Sequence, residues 1–309
     1  MFETNKTYKT CKNDVLKTLL YFDAFQYPLT LEEIVLFSQF SLDEIKENLQ
    51  QLVTNKTIFK LKQFYAISEK TCQVERREKG NKKAKQILNK AKKVSNFISQ
   101  FPFVEAVFIS GSLSKGYFGE EDDIDYFIVT KPNRVWLSRT LLITYKKIFL
   151  LNSKKYFCVN YFMSTNALEI AEKNRFTATE FVTLIPMSGN GVYKDLQNRN
   201  PWVLDYFPNY DTNKKSNPIK RKLIKRFSEY LLNGKFGDRL ENKFMKITKN
   251  HQQKKFEKLN KKDFDIAFKG DKNTSKHHPD NHQKRVINLL NKKIITFNKE
   301  HQLTVPIEK

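Results

Sequence analysis

The stretch SGSLSKGYFGEEDDIDYFIV, residues 110 to 129, most limits the folds open to this chain, because it sets carboxylates at the start of an apolar run. Alternate side chains of a strand share a face, so Asp123 and Asp125 point the same way, about 7 Å apart at their Cα atoms. Asp122 has the opposite parity, and we interpret it as a loop residue. Neighbouring carboxylates that lose water repel each other, and a divalent cation removes that cost. The sequence therefore predicts a metal site here.

A turn of small residues lies upstream of the two acids. Gly111 lets the backbone approach a ligand closely, and backbone N–H groups at a strand-to-helix turn bind phosphate oxygens. The Ser112 hydroxyl adds a donor, and Lys115, one turn further on, carries a charge that can neutralise phosphate. Mg²⁺ prefers oxygen ligands, often one or two carboxylates together with substrate phosphates. The turn and the acids together predict a site for Mg²⁺ and a nucleoside triphosphate (NTP).

The segment GSLSKGYFGEEDDIDYFIV resembles the Gly-Ser … Asp-x-Asp signature of the DNA polymerase β-like nucleotidyltransferase superfamily, in the style of its small bacterial members. The signature is short, and the surrounding α/β context extends the likeness to residues 90–200. The resemblance implies that Gly111 and Ser112 bind the triphosphate and that Asp123 and Asp125 bind Mg²⁺ in a two-metal site. It also implies transfer of a nucleoside monophosphate from an NTP to a hydroxyl acceptor, with release of pyrophosphate.

One residue departs from that superfamily, which carries a third carboxylate on a later strand facing the pair. The matching strand, FCVNYFMS, offers Asn160, whose amide oxygen can ligate a metal ion but cannot act as a base. Glu169 and Glu180 come later and could substitute, although we expect Glu180, on a predicted helix, to be a surface or capping group. Two alternatives stay open: an active transferase, and a nucleotide-binding regulatory protein with weak or no transfer activity.

The middle of the chain alternates strand and helix signals, which is typical of an α/β arrangement. We predict strands over 102–110, 124–130 and 155–164, a helix over 133–150, and a helix within the segment FTATEFVTLIPM (176–187) that is stopped at Pro186. A charged helix over 73–100 connects this region to the preceding one. Beyond residue 211 the sequence becomes basic and mostly helical, with segments near 219–234, 239–258 and 281–300.

The first seventy-two residues predict three short helices followed by a hairpin. Two of the helices begin with a Ser/Thr-x-x-Glu capping box, at Thr30 with Glu33 and at Ser41 with Glu44. The segment TIFKLKQFYAI then reads as two strands around a Lys62-Gln63 turn. Its pattern resembles winged-helix domains. The complete prediction is a mixed α+β and α/β protein: a winged helix over 1–72, a nucleotidyltransferase-like mixed sheet with flanking helices over 73–210, and a basic helical region over 211–309.

A winged helix reads DNA with its third helix, here residues 42–53. That helix carries Asp43, Glu44 and Glu47 against Lys46 alone. Affinity for DNA comes largely from Lys and Arg neutralising phosphates, so an acidic third helix disfavours insertion into the major groove. We therefore expect a structural or partner-binding role for this unit and no DNA binding.

The formal net charge of +23 indicates anionic partners. Residues 211–309 hold 26 Lys and Arg and 11 Asp and Glu, a net charge of +15. This concentration makes RNA a candidate acceptor, with the basic C-terminal region as the contact surface. Lysine-rich, solvated helix faces are the alternative explanation of the same composition.

Cysteine content and apolar runs bear on the compartment. Cys11, Cys72 and Cys158 are scattered, which fits a reducing compartment and gives neither a disulfide framework nor a zinc pattern. The N-terminus has no signal-peptide pattern, and Arg139 with the lysines at 146–147 interrupts the most apolar stretch too often for a membrane span. We expect a cytoplasmic protein without membrane contact.

The five histidines all follow residue 250, and His277, His278 and His282 form a cluster. Clusters of histidine and carboxylate can bind metal, but the proline after His278 and a helix start nearby favour loop residues instead.

A third reading of the whole chain is an interaction protein whose transferase fold is vestigial.

Overall fold

The computed structural model describes residues 10–214, 218–219, 222–257, 264, 268, 270–276 and 282–308. Within these residues the protein is a mixed α/β structure of twelve helices and two β-sheets, one of three strands and one of five. This confirms the predicted mixed class. No helix among the described residues is long and apolar enough to cross a membrane.

The N-terminal unit contains three helices and a small antiparallel sheet. The helices are α1 (Cys11–Asp23), α2 (Leu31–Leu36) and α3 (Leu42–Thr54), and the strands are β1 (Leu29–Thr30), β2 (Phe59–Leu61) and β3 (Phe64–Ala66), in the order β1-β3-β2. Both predicted capping boxes are present, at Thr30 with Glu33 and at Ser41 with Glu44. The predicted hairpin is also present, and Lys62 takes a positive φ of 56° in its turn.

A helix of 28 residues, α4 (Thr71–Ile98), follows this unit. Of its regularly spaced apolar positions, Ala91 and Ile98 are buried, and Ile87 and Val94 are half-buried. They pack against one face of the central sheet, so α4 both leaves the N-terminal unit and covers the sheet.

The central sheet has five strands in the order β7-β4-β5-β6-β8. Its elements in chain order are β4 (Val104–Ser110), α5 (Gly111–Ser114), β5 (Asp125–Thr130), α6 (Val135–Phe149), β6 (Cys158–Ser164), α7 (Arg175–Thr183), β7 (Ile185–Ser188) and β8 (Thr274–Lys276). Only β5 and β6 are parallel, and α6 connects them. The end of β4 and the starts of β5 and β6 therefore meet at one edge of the sheet.

One predicted element is wrong at its end. The helix expected within 176–187 stops at Thr183, and Ile185–Ser188 form β7, which pairs antiparallel with β4. Proline disfavours the helical conformation of the residue before it and cannot donate a ladder hydrogen bond. Pro186 lies on an edge strand of the sheet, where a missing donor is tolerated.

The C-terminal part contributes to the central sheet as well as to helices. Its helices are α8 (Asn190–Asn198), α9 (Val203–Tyr206), α10 (Leu223–Leu231), α11 (Gly234–Lys255) and α12 (His282–His301). The strand β8, absent from our sequence prediction, pairs with β6 and completes one edge of the sheet. The helical segment predicted near 239–258 corresponds to α11, which begins earlier, at Gly234.

Two hydrophobic cores lie on opposite faces of the central sheet. Val107, Ile109, Tyr126 and Ile128 face the core shared with α4 and α6. The alternate strand residues, Ala106, Phe108, Phe127 and Val129, face a core that also contains side chains of α1, α3, α7, α8 and α12. The N-terminal helices thus share a core with the sheet. The predicted division at 72 and 210 stays a prediction.

Candidate functional site

The two predicted acids meet at the sheet edge where β5 begins. Asp125 is the first residue of β5, and Asp123 lies two residues before it. Oxygen atoms of Asp123 and Asp125 and the Sγ atom of Cys158 all lie within 4.8 Å of one another. Cys158 is the first residue of β6 and is the register partner of Asp125, which explains why the sequence alone did not reveal it. A cross-strand neighbour depends on register that only the folded sheet fixes.

Gly111 directly contacts this cluster. Its φ is +68°, and a Cβ atom built on it would lie 2.4 Å from Oδ2 of Asp125. A side chain at this position would meet both a disfavoured backbone conformation and a steric clash. The Gly111-Ser112 turn therefore lies immediately beside the carboxylate, as the sequence predicted. In the described part of the chain, the Ser112 hydroxyl has no hydrogen-bond partner, and Ser112 lines the adjoining cavity.

The surroundings of the cluster favour the protonated forms of Asp125 and Cys158. Burial, followed by the charge of Asp123, raises the pKa of Asp125 to about 7. Burial and the neighbouring carboxylates also raise the pKa of the Cys158 thiol far above its usual range, so the thiol stays protonated at neutral pH. Two adjacent carboxylates need either a shared proton or a cation.

The donor set can be tested against Mg²⁺. Carboxylate oxygens are the ligands that Mg²⁺ prefers, so Asp123 and Asp125 fit this ion. A thiolate suits softer ions such as Zn²⁺, and the protonated Cys158 fits neither ion as it stands. The carboxylate pair is thus the part of the cluster that suits a hard divalent cation.

Asn160 lies beside the pair, on β6. Its Nδ2 donates a hydrogen bond of 2.9 Å to Oδ1 of Asp125. In this arrangement the amide positions the carboxylate through its nitrogen, and ligation of a metal by its oxygen would require the amide to turn. The ligand role of Asn160 stays a prediction.

Lys115 is close to the site, but its ammonium group is already paired with Glu180. Its Nζ forms a 2.7 Å ion pair with Glu180 and a 3.1 Å hydrogen bond to the carbonyl of Gly111. Its own carbonyl accepts a hydrogen bond from the Tyr27 hydroxyl of the N-terminal unit. Phosphate binding by Lys115 stays a prediction, and it would have to compete with Glu180.

Glu180 is half-buried and pairs with Lys115. Glu180 lies on α7, lines the same cavity as Asp125, and its charge helps to raise the pKa of Asp125. The fold of α7 against the sheet, which the sequence does not specify, turns it inward. Glu169, the other candidate acid, forms an exposed ion pair with Lys173.

A cavity of about 1220 Å³ opens on the cluster. Its walls come from the N-terminal unit, the Gly111-Ser112 turn, α6, α7, β6 and α11. Phe127 and Tyr161, which are stacked with ring centroids 4.7 Å apart, form part of its apolar lining. Mostly apolar cavities with a few convergent polar groups are typical of small-molecule sites.

The remaining predicted features lie outside this cluster. The acids of α3, Asp43, Glu44 and Glu47, are all exposed, as its predicted acidic surface requires. His277 and His278 lie outside the described residues, whereas His282 begins α12 and lines the cavity.

Comparison of the chain with family models, with curated proteins and with solved structures finds no match. The site is therefore interpreted from its own geometry.

Proposed function

We propose that the protein is a Mg²⁺-dependent nucleotidyltransferase that transfers a nucleoside monophosphate from an NTP to a hydroxyl acceptor. The observation that carries this proposal is the contact between Gly111 and Asp125, which leaves no room for a side chain. A backbone turn that can bind phosphate thereby lies directly against a carboxylate pair that can bind a divalent cation. Nucleotidyl transfer requires these two parts side by side.

Each residue of the cluster has a role in this proposal. Asp123 and Asp125 bind the metal, and Asn160 orients Asp125 through its amide. The Gly111-Ser112 turn binds the triphosphate. The acceptor oxygen forms a bond to the α-phosphorus, the bond from that phosphorus to pyrophosphate breaks, and the hydroxyl proton passes to water. When bound, Mg²⁺ lowers the pKa of the acceptor hydroxyl and neutralises charge on the leaving pyrophosphate.

Calorimetric titration of each of the four NTPs into the full chain tests this function. We expect Mg²⁺-dependent binding of at least one NTP in the wild type and its loss in the D123N/D125N variant, because the amide side chains remove both metal-binding charges. The variant D195N, which neutralises an exposed carboxylate on α8, is the matched control and should bind as the wild type does. Unchanged nucleotide and metal affinity in D123N/D125N would refute the proposal.

RNA is the acceptor class that the charge distribution favours, because residues 211–309 carry a net charge of +15. Binding to RNA releases counterions, so the logarithm of the binding constant should fall linearly with the logarithm of salt concentration. Fluorescence anisotropy with a labelled single-stranded RNA, measured over a salt series, checks this. A flat salt response would point to a protein or small-molecule acceptor.

A nucleotide-binding regulatory protein is the second candidate. Two contacts favour it: Asn160, whose amide cannot act as a base, donates a hydrogen bond to Asp125, and the Tyr27 hydroxyl of the N-terminal unit donates one to the backbone carbonyl of Lys115, close to the Gly111-Ser112 turn. In this alternative the N-terminal unit is a winged helix that responds to nucleotide and contacts a partner. Incubation with radiolabelled NTPs, RNA and a cell lysate distinguishes the two candidates. Binding of NTP without label transfer or pyrophosphate release would favour regulation.

A further inference from the structure

Three cationic residues of α6 line the cavity, and two of them, Arg139 and Lys146, are less exposed than the third, Lys147. Arg139 and Lys146 are seven residues apart, which places them on the same side of the helix about two turns from each other. Side chains of a helix tilt toward its N-terminus, so the Lys146 ammonium lies nearer to Arg139 than the Cα separation indicates. Both residues line the cavity that contains Asp123 and Asp125.

Neither cation has an anionic partner in the part of the chain that the structure describes. The Lys146 side chain is 8% exposed and the Arg139 side chain is partly buried, yet neither forms an ion pair or a hydrogen bond with another group there. The guanidinium of Arg139 lies over the Trp136 ring, 5.8 Å from its centroid. By contrast, the buried guanidinium of Arg77 pairs with Glu33 at 2.6 Å.

This arrangement is unfavourable without a ligand. Burial lowers the pKa of Lys146, and the charges of Lys154, Arg139 and Lys147 lower it further, while Cys158 raises it. Burial also lowers the pKa of Arg139 to about 10. Removing charges from water without a partner destabilises a fold, and neighbouring like charges add to that effect. A structural role for the two cations would require a partner group, which an anionic ligand supplies.

The cations lie on the opposite side of the carboxylates from the Gly111-Ser112 turn. In the sheet, β5 lies between β4 and β6. The turn follows β4, whereas α6 leads toward β6, whose first residue, Cys158, influences the pKa of Lys146. The carboxylate pair therefore has a backbone turn on one side and a cationic helix face on the other.

We propose that Arg139 and Lys146 form a phosphate-binding site on the β6 side of the carboxylate pair. Guanidinium and ammonium groups are the side chains that bind phosphate oxygens, the first through its planar fork and the second as a point charge. A metal ion on Asp123 and Asp125 would attract the same phosphate. The assignment of the Arg139–Lys146 site to a transfer reaction rests on the proposed function, whereas phosphate binding at that site does not.

Calorimetric titration of inorganic pyrophosphate into the full chain, in the presence of a chelator, tests the site. We expect the R139Q/K146Q variant to bind pyrophosphate at least tenfold more weakly than the wild type. The matched control, K92Q/R199Q, removes the same charges from exposed positions and should change the affinity less than threefold. The charge-preserving variant R139K/K146R should retain most of the binding, and it keeps the test valid if the first variant does not fold. Absence of pyrophosphate binding by the wild type, or equal affinity in R139Q/K146Q, would overturn the proposal.

Two further titrations identify the source of the phosphate. A parallel loss of Mg²⁺–NTP affinity in R139Q/K146Q assigns the site to the nucleotide, and an unchanged NTP affinity beside weakened pyrophosphate binding assigns it to the acceptor. In D123N/D125N, pyrophosphate should bind without metal at least as tightly as in the wild type, because two nearby negative charges are gone. If NTP binding proves independent of the acids while that result holds, the transferase function fails and the phosphate site stands.

Discussion

The raised pKa of Asp125 predicts a specific dependence of stability on pH. Its pKa in the folded protein is about 7, against an ordinary value of 3.8. A carboxyl group whose folded pKa is raised contributes stability that is fully present below pH 3.8 and is lost as the pH rises through about 7. The perturbation is the substitution Asp125→Asn, which is close in shape, can still accept the hydrogen bond from Asn160, and cannot ionise.

The size of the effect follows from the shift. One pKa unit corresponds to about 1.36 kcal/mol, so complete ionisation of Asp125 lowers the free energy of unfolding by about 4 kcal/mol. Integration of the linkage relation between pH 5 and pH 8 gives a loss of about 2.5 kcal/mol. These values are upper limits, because the side chain retains some contact with water. Ionisation is disfavoured mainly by burial and next by Asp123.

The assay is urea unfolding at a series of pH values from 5 to 8, in the presence of a chelator. The difference in free energy of unfolding between D125N and the wild type isolates this one group, because other titrating groups are common to both. We expect D125N to gain relative stability steadily as the pH rises, whereas D195N, at an exposed position, should show no such trend. A difference between D125N and the wild type that stays constant over this range would refute the burial argument.

Three other substitutions test the site and its surroundings. Gly111→Ala should lower the free energy of unfolding in urea by about 1–2 kcal/mol, because its positive φ disfavours any side chain. The same substitution should weaken Mg²⁺ binding, because the new methyl group displaces Asp125. The control Gly191→Ala, where nothing lies within 4 Å, should be neutral or stabilising. Lys146→Met should raise the free energy of unfolding without ligand, by roughly 1 kcal/mol, because it removes a buried charge that has no partner among the described residues; a decrease would show that the ammonium has a structural partner. Ser41→Ala should lower the free energy of unfolding by about 1 kcal/mol, because it removes the capping box of α3. Equal unfolding midpoints for this variant and the wild type would contradict the prediction.

Local signals predicted most of the elements correctly. The capping boxes at Thr30 and Ser41 each begin a helix, because a side-chain oxygen and the N3 backbone lie close in sequence. Strand parity placed Asp123 and Asp125 together, because alternation along an extended chain depends only on backbone geometry. Such features involve a few consecutive residues, so the sequence contains all the information they need.

Features that depend on distant partners were not predicted. Cys158 joins the acids through strand register, Glu180 turns inward through the packing of α7, and β8 forms because β6 offers it an edge. The sequence predicts helix where Ile185–Ser188 form a strand, because this apolar run fits either structure until β4 is available for pairing. Each miss concerns residues that are far apart in sequence.

Arg139 and Lys146 illustrate a signal that was present but ambiguous. In the sequence they interrupt an apolar helix, which excludes a membrane span and says nothing more. The cavity on that side of α6 and the lack of a partner among the described residues are what indicate a phosphate-binding role for these two charges. Charge on a helix is usually solvated, so the sequence alone favoured that reading.

The unfavourable features of this fold are concentrated around one cavity. Asp125 is half-buried beside another carboxylate, Lys146 is buried and has no counterion among the residues that the structure describes, and Gly111 holds a positive φ against a carboxylate oxygen. An ordinary apolar substitution would relieve the first two features, so neither of them is explained by stability. A cation would relieve the carboxylates and a phosphate would relieve the α6 cations, and a metal-bound phosphate ester supplies both charges at once. The placement of acids between two candidate phosphate-binding walls therefore favours a ligand of that kind over a vestigial site.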